Sequence, residues 1–332
     1  MDQCISMSLK PIWHLIQKII IFLEALIDST SFKIFGISEM EEDPVAGKIA
    51  IVTGSNCGIG KQVARDLAER GATVILACRN LEAGKQAMNE IKQDIPDAKL
   101  DLVRLDLAEL ASVRKFAAEI KSRYPEIHLL INNAGLCSYK KEIQKTADGF
   151  ELHMGVNHLG HFLLTNLLLD NLKAGAPSRV VTLSSTTMTI SHLKLDDLMM
   201  ETFKNPTVFT GVSRLPYNNS KMANALFTKE LGRRLEGTGV TVYTLCPGIV
   251  NTEVFRDSGH FENIIAKTCI ALTGIPLAKA SLSVLYCALS RKCEHESGKF
   301  YRFGQVYRRA NRLLKLKDAQ ELWEKSLQLV GL

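Results

Sequence analysis

Short apolar runs rich in β-branched residues alternate, from residue 47 onward, with longer segments whose apolar residues recur at helical spacing. The short runs are mostly apolar throughout, which is typical of strands covered on both faces. Strands and helices that alternate in this way form βαβ units and a parallel sheet. The predicted strands are Ile49–Thr53, Thr73–Cys78, Leu102–Leu105, Leu129–Asn132, Arg179–Leu183, Val240–Leu245 and Phe300–Phe303. The pattern therefore predicts an α/β fold, in which a single doubly wound domain contains a seven-stranded parallel sheet.

The N-terminal segment has a different pattern, in which apolar residues dominate but are repeatedly interrupted. Between Pro11 and Ile27 the longest unbroken apolar run extends only from Ile19 to Leu23, too short for a confident membrane-spanning helix. On a helical wheel a broad apolar face lies opposite a polar stripe, as in helices that lie in a membrane interface. Residues 1–38 are therefore predicted to be a membrane-associating segment with an amphipathic helix at 11–27. A helix packed on the globular body is the alternative.

Charge and cysteine content restrict the possible partners. Residues 39–46 form an acidic predicted linker, and residues 47–332 form the main domain, which ends in a basic C-terminal tail. The formal net charge of the 332 residues is only +6, which does not indicate a nucleic-acid partner. The eight cysteines occur singly, without a CxxC pair or matching histidine spacing, so they predict reduced thiols and no metal site.

Several histidines lie close together, but their setting does not favour a metal centre. His153, His158 and His161 fall in a leucine-rich helical pattern that is typical of a core element, and no cysteine or carboxylate completes a ligand set. Packing or hydrogen-bonding roles are therefore expected for these side chains.

A glycine-rich turn joins the first predicted strand to a predicted helix. Ile59, Val63 and Leu67 recur at four-residue spacing in that helix, and Gly71 follows at the position of a C-terminal cap. Strand, glycine turn and helix in this order form the Rossmann-like arrangement, which places a dinucleotide pyrophosphate at a helix N-terminus. The candidate cofactor-binding residues in the turn are Gly54, Ser55, Asn56, Gly58, Ile59 and Gly60.

The end of the second strand indicates which dinucleotide fits. An acidic residue at this place would hydrogen-bond the adenosine 2′-hydroxyl group and repel a 2′-phosphate. Here Cys78 occupies that place and Arg79 follows it, offering a guanidinium group to a phosphate. The sequence therefore favours NADP(H) over NAD(H), with a solvated surface charge as the alternative role of Arg79.

Polar residues also follow the third and fourth strands. Asp106, with Leu107 beside it, is placed to accept a hydrogen bond from the adenine amino group. Asn133, Ala134 and Gly135 can bring main chain against the adenosine ribose. Such residues are common at strand ends, so the prediction depends on their order along the sheet.

Tyr217 and Lys221 begin an apolar helical pattern and lie one turn apart on the same helix face. A lysine ammonium group close to a phenol stabilises the phenolate, so the tyrosine becomes a usable acid or base near neutral pH. A surface pair with the same spacing is the alternative, and only the rest of the motif order distinguishes the two.

That order resembles the short-chain dehydrogenase/reductase family over about Gly47 to Phe303. The matching elements are Thr53–Gly60, Asn132–Gly135, Asn157, Ser184-Ser185, Tyr217–Lys221 and Pro247-Gly248. Three further phrases are similar to the retinol dehydrogenase branch of the family, which prefers NADP: Ile75–Asn80, Val156–Leu164 and Leu322-Trp323-Glu324.

The resemblance implies a catalytic role for four side chains. Tyr217 would donate or accept the proton, and Lys221 would lower the tyrosine pKa and bind the nicotinamide ribose. Ser185 would hydrogen-bond the substrate oxygen, with Ser184 as the competing choice, since alternation along the preceding strand does not decide between them. Asn157 would hold a water molecule that connects Lys221 to solvent.

The resemblance also implies how the nicotinamide and the substrate are held. The backbone after Pro247 and Gly248, together with Thr252, would position the nicotinamide. The expected substrate is a lipophilic alcohol or its carbonyl product, retinol or retinal above all, at the endoplasmic reticulum membrane. The apolar segment Phe261–Leu277 is expected to form a lid that also touches the membrane, with burial in the core as the alternative. A homo-oligomer is compatible with the sequence.

Two other functions agree with the same residues. A steroid or general carbonyl reductase would use the same chemistry on another substrate. A membrane-tethered interaction protein that binds the cofactor without catalysis would keep the glycine turn, although the intact Ser185, Tyr217 and Lys221 set argues against it.

Overall fold

The computed structural model describes residues 40–138, 142–202, 215–250 and 274–332, and isolated residues of the N-terminal segment: Leu23, Leu26, Ile27, Thr30, Phe32, Gly36 and Ile37. Thr252 and most of the predicted amphipathic segment 11–27 lie outside the described residues, as does most of the predicted lid at Phe261–Leu277. Within the described ranges, no helix has both the length and the apolar character needed to cross a membrane.

One eight-stranded sheet forms the centre of the domain, with strand order β3-β2-β1-β4-β5-β6-β7-β8. The first seven strands are parallel, and β8 pairs with β7 in the antiparallel direction. The strands are β1 Ile49–Thr53, β2 Thr73–Cys78, β3 Leu100–Arg104, β4 Leu129–Asn132, β5 Ser178–Leu183, β6 Val240–Cys246, β7 Lys299–Arg302 and β8 Gln305–Val306. The predicted α/β fold with a parallel sheet is confirmed.

The strand count is the point at which the prediction needs correction. The eighth strand, Gln305–Val306, has two residues and so cannot show a two-residue periodicity in the sequence. It exists because the chain reverses at Phe303 and Gly304, whose φ angles of 50° and 76° both lie in the left-handed region. The same turn ends β7 at Arg302 rather than at the predicted Phe303.

Helices cover both faces of the sheet. They are α1 Gly58–Glu69, α2 Leu81–Asp94, α3 Leu110–Arg123, α4 Gly160–Leu167, α5 Leu169–Ala174, α6 Leu215–Arg234, α7 Leu277–Leu289, α8 Arg308–Leu313 and α9 Leu316–Val330. A π-helix, Met154–Leu159, leads directly into α4, and 3₁₀ turns lie at Thr186–Ile190, Leu195–Asp197 and Arg291–Cys293. The predicted basic tail thus contains two helices, α8 and α9.

Two apolar clusters hold these layers together. Helices α3, α4, α6 and α9 pack on one face, where Phe162, Phe227 and Trp323 contact one another. Helices α1, α2 and α7 pack on the other face, through residues such as Leu67 and Ile91. Burial of this apolar area is the main stabilising contribution to the domain.

The strand order reverses between β1 and β4. In doubly wound sheets, ligands bind in the crevice outside the carboxyl ends of the strands at such a reversal. The glycine turn after β1 and the Asn133-Ala134-Gly135 turn after β4 meet at this place. The fold therefore brings the predicted cofactor residues to one edge of the sheet.

Candidate active site

The glycine turn packs directly against the turn after β4. Gly54 has a φ angle of +65°, and a Cβ atom on it would lie 2.9 Å from the Ala134 Cα atom. A Cβ atom on Gly60 would lie 2.4 Å from both the Gly54 carbonyl oxygen and the Asn133 Nδ2 atom. Glycine is required at both positions because the backbone segments approach too closely for any side chain.

The same turn presents uncommitted hydrogen-bond donors. Helix α1 begins after Cys57, which makes no side-chain cap, and its first turn contains no acidic residue. The Ser55 hydroxyl group is completely buried and has no hydrogen-bond partner among the described residues. Free N–H groups at a helix N-terminus and a buried hydroxyl group fit an anionic phosphate ligand. The residues present therefore suit a dinucleotide pyrophosphate.

The end of β2 carries no carboxylate. Burial raises the pKa of the Cys78 thiol to about 11, so this side chain stays neutral at physiological pH. Arg79 is exposed, and Asn80 caps α2 by accepting a hydrogen bond from the Ala83 N–H group at 3.1 Å. The exposed guanidinium group of Arg79 is therefore the charged group directly after this strand.

Asp106 and Leu107 lie in the loop after β3, the strand next to β2 in the sheet. The Asp106 carboxylate accepts a hydrogen bond from the Ala108 N–H group at 3.0 Å, which holds the turn. Leu107 is buried against Gly160, where a Cβ atom would lie 2.7 Å from the Leu107 carbonyl oxygen. Asp106 therefore lies at the carboxyl edge of the sheet, and Leu107 is buried next to it.

A hydrogen-bond chain runs from the turn after β4 into the π-helix. The N–H groups of Asn133 and Ala134 donate to the Thr53 hydroxyl oxygen at 3.0 and 2.9 Å. His161 Nδ1 donates to the Asn157 carbonyl oxygen at 3.0 Å, so His161 Nε2 is an acceptor and receives the Thr53 hydroxyl proton over 2.9 Å. Burial lowers the pKa of His161 to about 4, which keeps the imidazole neutral.

The Asn157 side chain connects two further segments. Its Oδ1 atom accepts from the Leu136 N–H group at 2.9 Å, and its Nδ2 atom donates to the Ser220 hydroxyl group at 3.0 Å. Ser220 in turn donates to the Tyr217 carbonyl oxygen at 2.8 Å. Asn157 thus ties the loop after β4 to the first turn of α6, and it lies in a π-helical segment, a geometry often found at functional sites.

Tyr217 and Lys221 lie on α6 at the carboxyl edge of the sheet. Lys221 is buried, and its Nζ atom donates to the Leu183 carbonyl oxygen at 3.1 Å. The same Nζ atom lies 5.7 Å from the centre of the Tyr217 ring. A Cβ atom on Gly135 would lie 3.3 Å from it, so glycine leaves the ammonium group its space. Burial lowers the pKa of Lys221 to about 8.

The two serines after β5 face different environments. Ser184 is buried, and its hydroxyl group donates to the Lys221 carbonyl oxygen at 2.7 Å. Ser185 is half-buried, and its oxygen accepts hydrogen bonds from the Thr187 N–H and hydroxyl groups at 3.2 and 3.0 Å. The hydroxyl proton of Ser184 is therefore committed to the Lys221 carbonyl oxygen, whereas the Ser185 hydroxyl group hydrogen-bonds to the neighbouring Thr187.

Two residues near the Tyr217 ring were not among the predicted site residues. His153, which was expected to have a packing or polar role, lies with its ring 6.4 Å from the Tyr217 ring. Glu151, a buried carboxylate, contacts His153. An isolated glutamate followed by histidine carries no recognisable pattern, so only the fold identifies this pair.

The remaining predicted cofactor residues lie after β6. Pro247 is buried and Gly248 has a φ angle of +93°. A Cβ atom on Gly248 would lie 2.8 Å from the Ile275 side chain and 2.9 Å from the Phe303 ring. Thr252, the last predicted member, lies outside the described residues.

In the part of the chain that the structure describes, no three histidine, cysteine or acidic side chains come together as a metal-binding group. His158, for example, hydrogen-bonds the Ser326 hydroxyl group over 2.9 Å, and burial lowers its pKa to about 3. This histidine belongs to the core.

The fold and this set of residues define an oxidoreductase class. The short chain dehydrogenase family profile matches residues 48–193 and 207–263. The chain belongs to the short-chain dehydrogenase family, whose enzymes use a nicotinamide cofactor.

Named relatives agree with this assignment. Mouse retinol dehydrogenase 11 is 44% identical over 292 residues, which cover 86% of this chain and 87% of the relative. Human retinol dehydrogenase 13 is 42% identical over 294 residues, covering 87% and 86%. Human retinol dehydrogenase 12 is 41% identical over 295 residues, covering 86% and 87%.

Solved structures show the same fold. An uncharacterised protein from Mycobacterium paratuberculosis superposes with a TM-score of 0.66 at 33% identity, covering 88% of this chain and 96% of that one. The RhlG/NADP active-site complex from Pseudomonas aeruginosa superposes with a TM-score of 0.61 at 23% identity, covering 78% and 97%.

Proposed function

We propose that the protein is an NADP(H)-dependent oxidoreductase that interconverts a lipophilic alcohol and its aldehyde or ketone, with retinol and retinal as the first choice. The observation that carries this proposal is the buried Lys221 ammonium group, 5.7 Å from the Tyr217 ring, beside the half-buried Ser185 at the carboxyl edge of the sheet. The three relatives described above are retinol dehydrogenases, and their names support the substrate class.

The pyrophosphate and the 2′-phosphate of the cofactor would be held by groups at the ends of β1 and β2. The N-terminal turn of α1 and the Ser55 hydroxyl group offer donors to the pyrophosphate, and the Gly54 and Gly60 backbones allow close approach. Arg79 offers a cation to the 2′-phosphate. When bound, NADPH supplies the hydride and NADP⁺ accepts it.

The protein's own residues would manage the proton and the substrate oxygen. Ser185 donates its hydroxyl proton to that oxygen and polarises the carbonyl group. Tyr217 donates its phenolic proton to the oxygen during reduction, and removes it during alcohol oxidation. The Lys221 ammonium group stabilises the phenolate that remains.

Buried hydrogen bonds would hold these groups at fixed positions relative to one another. Asn157 ties Leu136 to the start of α6, and the Thr53 to His161 bond ties the end of β1 to α4. Because both connections are buried, they resist exchange with water. This rigidity supports the oriented attack that hydride transfer needs.

The N-terminal segment would bring the enzyme to its substrate. We place residues 1–38 on the endoplasmic reticulum membrane, with the helix at 11–27 lying in the interface, because a lipophilic substrate partitions into lipid. Residues 39–46 then link this segment to the catalytic domain. A homo-oligomer is compatible with this attachment to the membrane.

The test is NADPH oxidation by detergent-purified full-length protein. All-trans retinal should be reduced with NADPH, while NADH and a small polar ketone should react much more slowly. Turnover of steroids or small ketones without retinal would instead favour a general carbonyl reductase. Tyr217→Phe should bind NADPH and lose turnover, whereas unchanged turnover would remove Tyr217 from the mechanism.

A further inference from the structure

A third apolar cluster, separate from the two that cover the sheet, contains a residue of the N-terminal segment. It consists of Phe32, Val250, Ile275 and Ala280, with Ile37, Ile59 and Phe303 packed against it. Phe32 is only 3% exposed, whereas Leu23 and Ile27, earlier in the same segment, are 48% and 64% exposed. Phe32 is therefore docked on the catalytic domain.

The position of Phe32 is defined by specific contacts. Its ring stacks on the Phe303 ring, with 4.4 Å between centroids and 12° between planes. The Lys279 ammonium group donates to the Phe32 carbonyl oxygen at 2.9 Å and lies 5.7 Å from the centre of its ring. The Gly36 N–H group donates to the same carbonyl oxygen at 3.0 Å. Ring and backbone are thus both held.

Phe303 connects this docking point to the nicotinamide end of the cofactor site. Its φ angle of 50° is unfavourable for a bulky residue, so the surrounding packing must hold it there. The same ring lies against Gly248, where a Cβ atom would be 2.9 Å from Phe303 Cε1. Phe32 stabilises the Phe303 ring, and the Phe303 ring supports the Gly248 backbone.

A second residue of the segment strengthens the same connection. Ile37 packs against Gly304, where a Cβ atom would lie 3.2 Å from Ile37 Cγ1. Ile59, in the first turn of α1, also packs against the cluster. Phe32 and Ile37 therefore pack against Phe303 and Gly304, in a cluster that also includes Ile59 of the pyrophosphate helix.

We infer that Phe32 is a positioning residue for the cofactor: through the stacked Phe303 ring it holds the Pro247-Gly248 turn in the conformation that receives the nicotinamide. The N-terminal segment is then part of the cofactor site in addition to being a membrane attachment. This inference rests on the proposed function, since it needs a nicotinamide cofactor at this turn.

The test compares Phe32→Ala with Ile27→Ala in the full-length protein. Phe32→Ala should weaken NADPH binding, measured by fluorescence titration, about tenfold, because a support of the preorganised turn is lost. The KM for NADPH should rise with it, while kcat at saturating NADPH changes less. Ile27→Ala, an exposed residue of the same segment, should match the wild type. Phe32→Leu should recover most of the affinity.

The readouts separate positioning from simple packing. Thermal unfolding of Phe32→Ala and Phe32→Leu shows whether each variant is folded, and the titrations are run at a temperature at which both are. A folded variant of lower melting temperature that binds NADPH like the wild type overturns the inference. Because the titration needs no substrate, failure of retinal to react counts against the proposed function alone.

Discussion

The Glu151 carboxylate and the His153 imidazole form a buried pair, with 2.7 Å between Oε1 and Nδ1. His153 Nε2 accepts a hydrogen bond from the Ser138 N–H group at 2.9 Å, so Nδ1 carries the proton and donates to Glu151. Glu151 also accepts from the N–H groups of His153 and Met154 at 3.0 and 2.8 Å. The pair fixes the loop after β4 beside Tyr217.

Replacement of His153 should therefore affect both stability and substrate binding. His153→Ala leaves the Ser138 N–H group unpaired and takes one donor from the buried carboxylate, so unfolding free energy should fall by about 1–3 kcal/mol. The KM for the carbonyl substrate should rise because the loop at Ser138 moves. Urea unfolding and steady-state kinetics measure the two effects.

The matched control is His295→Ala, which replaces an exposed histidine. It should leave both quantities unchanged. A His153→Ala enzyme with wild-type KM would show that the loop is held without this pair.

The two serines after β5 should give opposite results when each is replaced by alanine. Ser185→Ala removes the donor to the substrate oxygen and should lower kcat by about 10²–10³-fold, with little loss of stability. Ser184→Ala removes the buried bond to the Lys221 carbonyl oxygen and should cost about 1–3 kcal/mol of unfolding free energy.

Parallel kinetics and denaturant titrations of both variants test this assignment. If Ser184→Ala loses turnover and Ser185→Ala keeps it, Ser184 rather than Ser185 is the catalytic serine. Each variant serves as the control for the other because the two positions are adjacent.

Arg79 should determine the choice of dinucleotide. Arg79→Ala removes the cation expected at the 2′-phosphate, so the ratio of kcat/KM with NADPH to that with NADH should fall by about 10-fold or more. Lys85→Ala, which removes an exposed cation on α2, is the control. An unchanged ratio in Arg79→Ala would show that another residue reads the phosphate.

The buried Lys221 should make stability depend on pH. Burial lowers its pKa from 10.5 to about 8, so between these values the unfolded chain binds more protons than the folded protein. Unfolding free energy should therefore rise with pH across this window, by about 3 kcal/mol in total. Below pH 8 the buried ammonium group lowers stability by the same amount.

Lys221→Met provides the comparison, since it removes the titrating group and keeps an unbranched side chain. The difference in unfolding free energy between wild type and variant should change by up to about 3 kcal/mol from pH 8 to 10.5. If the difference in unfolding free energy between the two proteins does not change with pH, Lys221 is not buried as a charged group.

Much of the fold could be predicted because its strands are apolar throughout and its helices show regular spacing. Four of the seven predicted strands begin at the residue where the structure begins them: Ile49, Thr73, Leu129 and Val240. The two-residue β8 was missed because it depends on the left-handed turn at Phe303 and Gly304. Short elements of this kind are set by tertiary contacts rather than by periodicity.

The sequence by itself determined the order of strands and helices, the glycine turn and the one-turn spacing of Tyr217 and Lys221, because each depends on residues close together along the chain. Tertiary structure alone gives the two serines different surroundings, since Ser184 donates to the carbonyl oxygen of a residue 37 positions away. It also decided that Glu151 and His153 lie beside Tyr217 and that Phe32 stacks on Phe303. These relationships join segments that only the packed sheet and its helices bring together, and no local pattern records them.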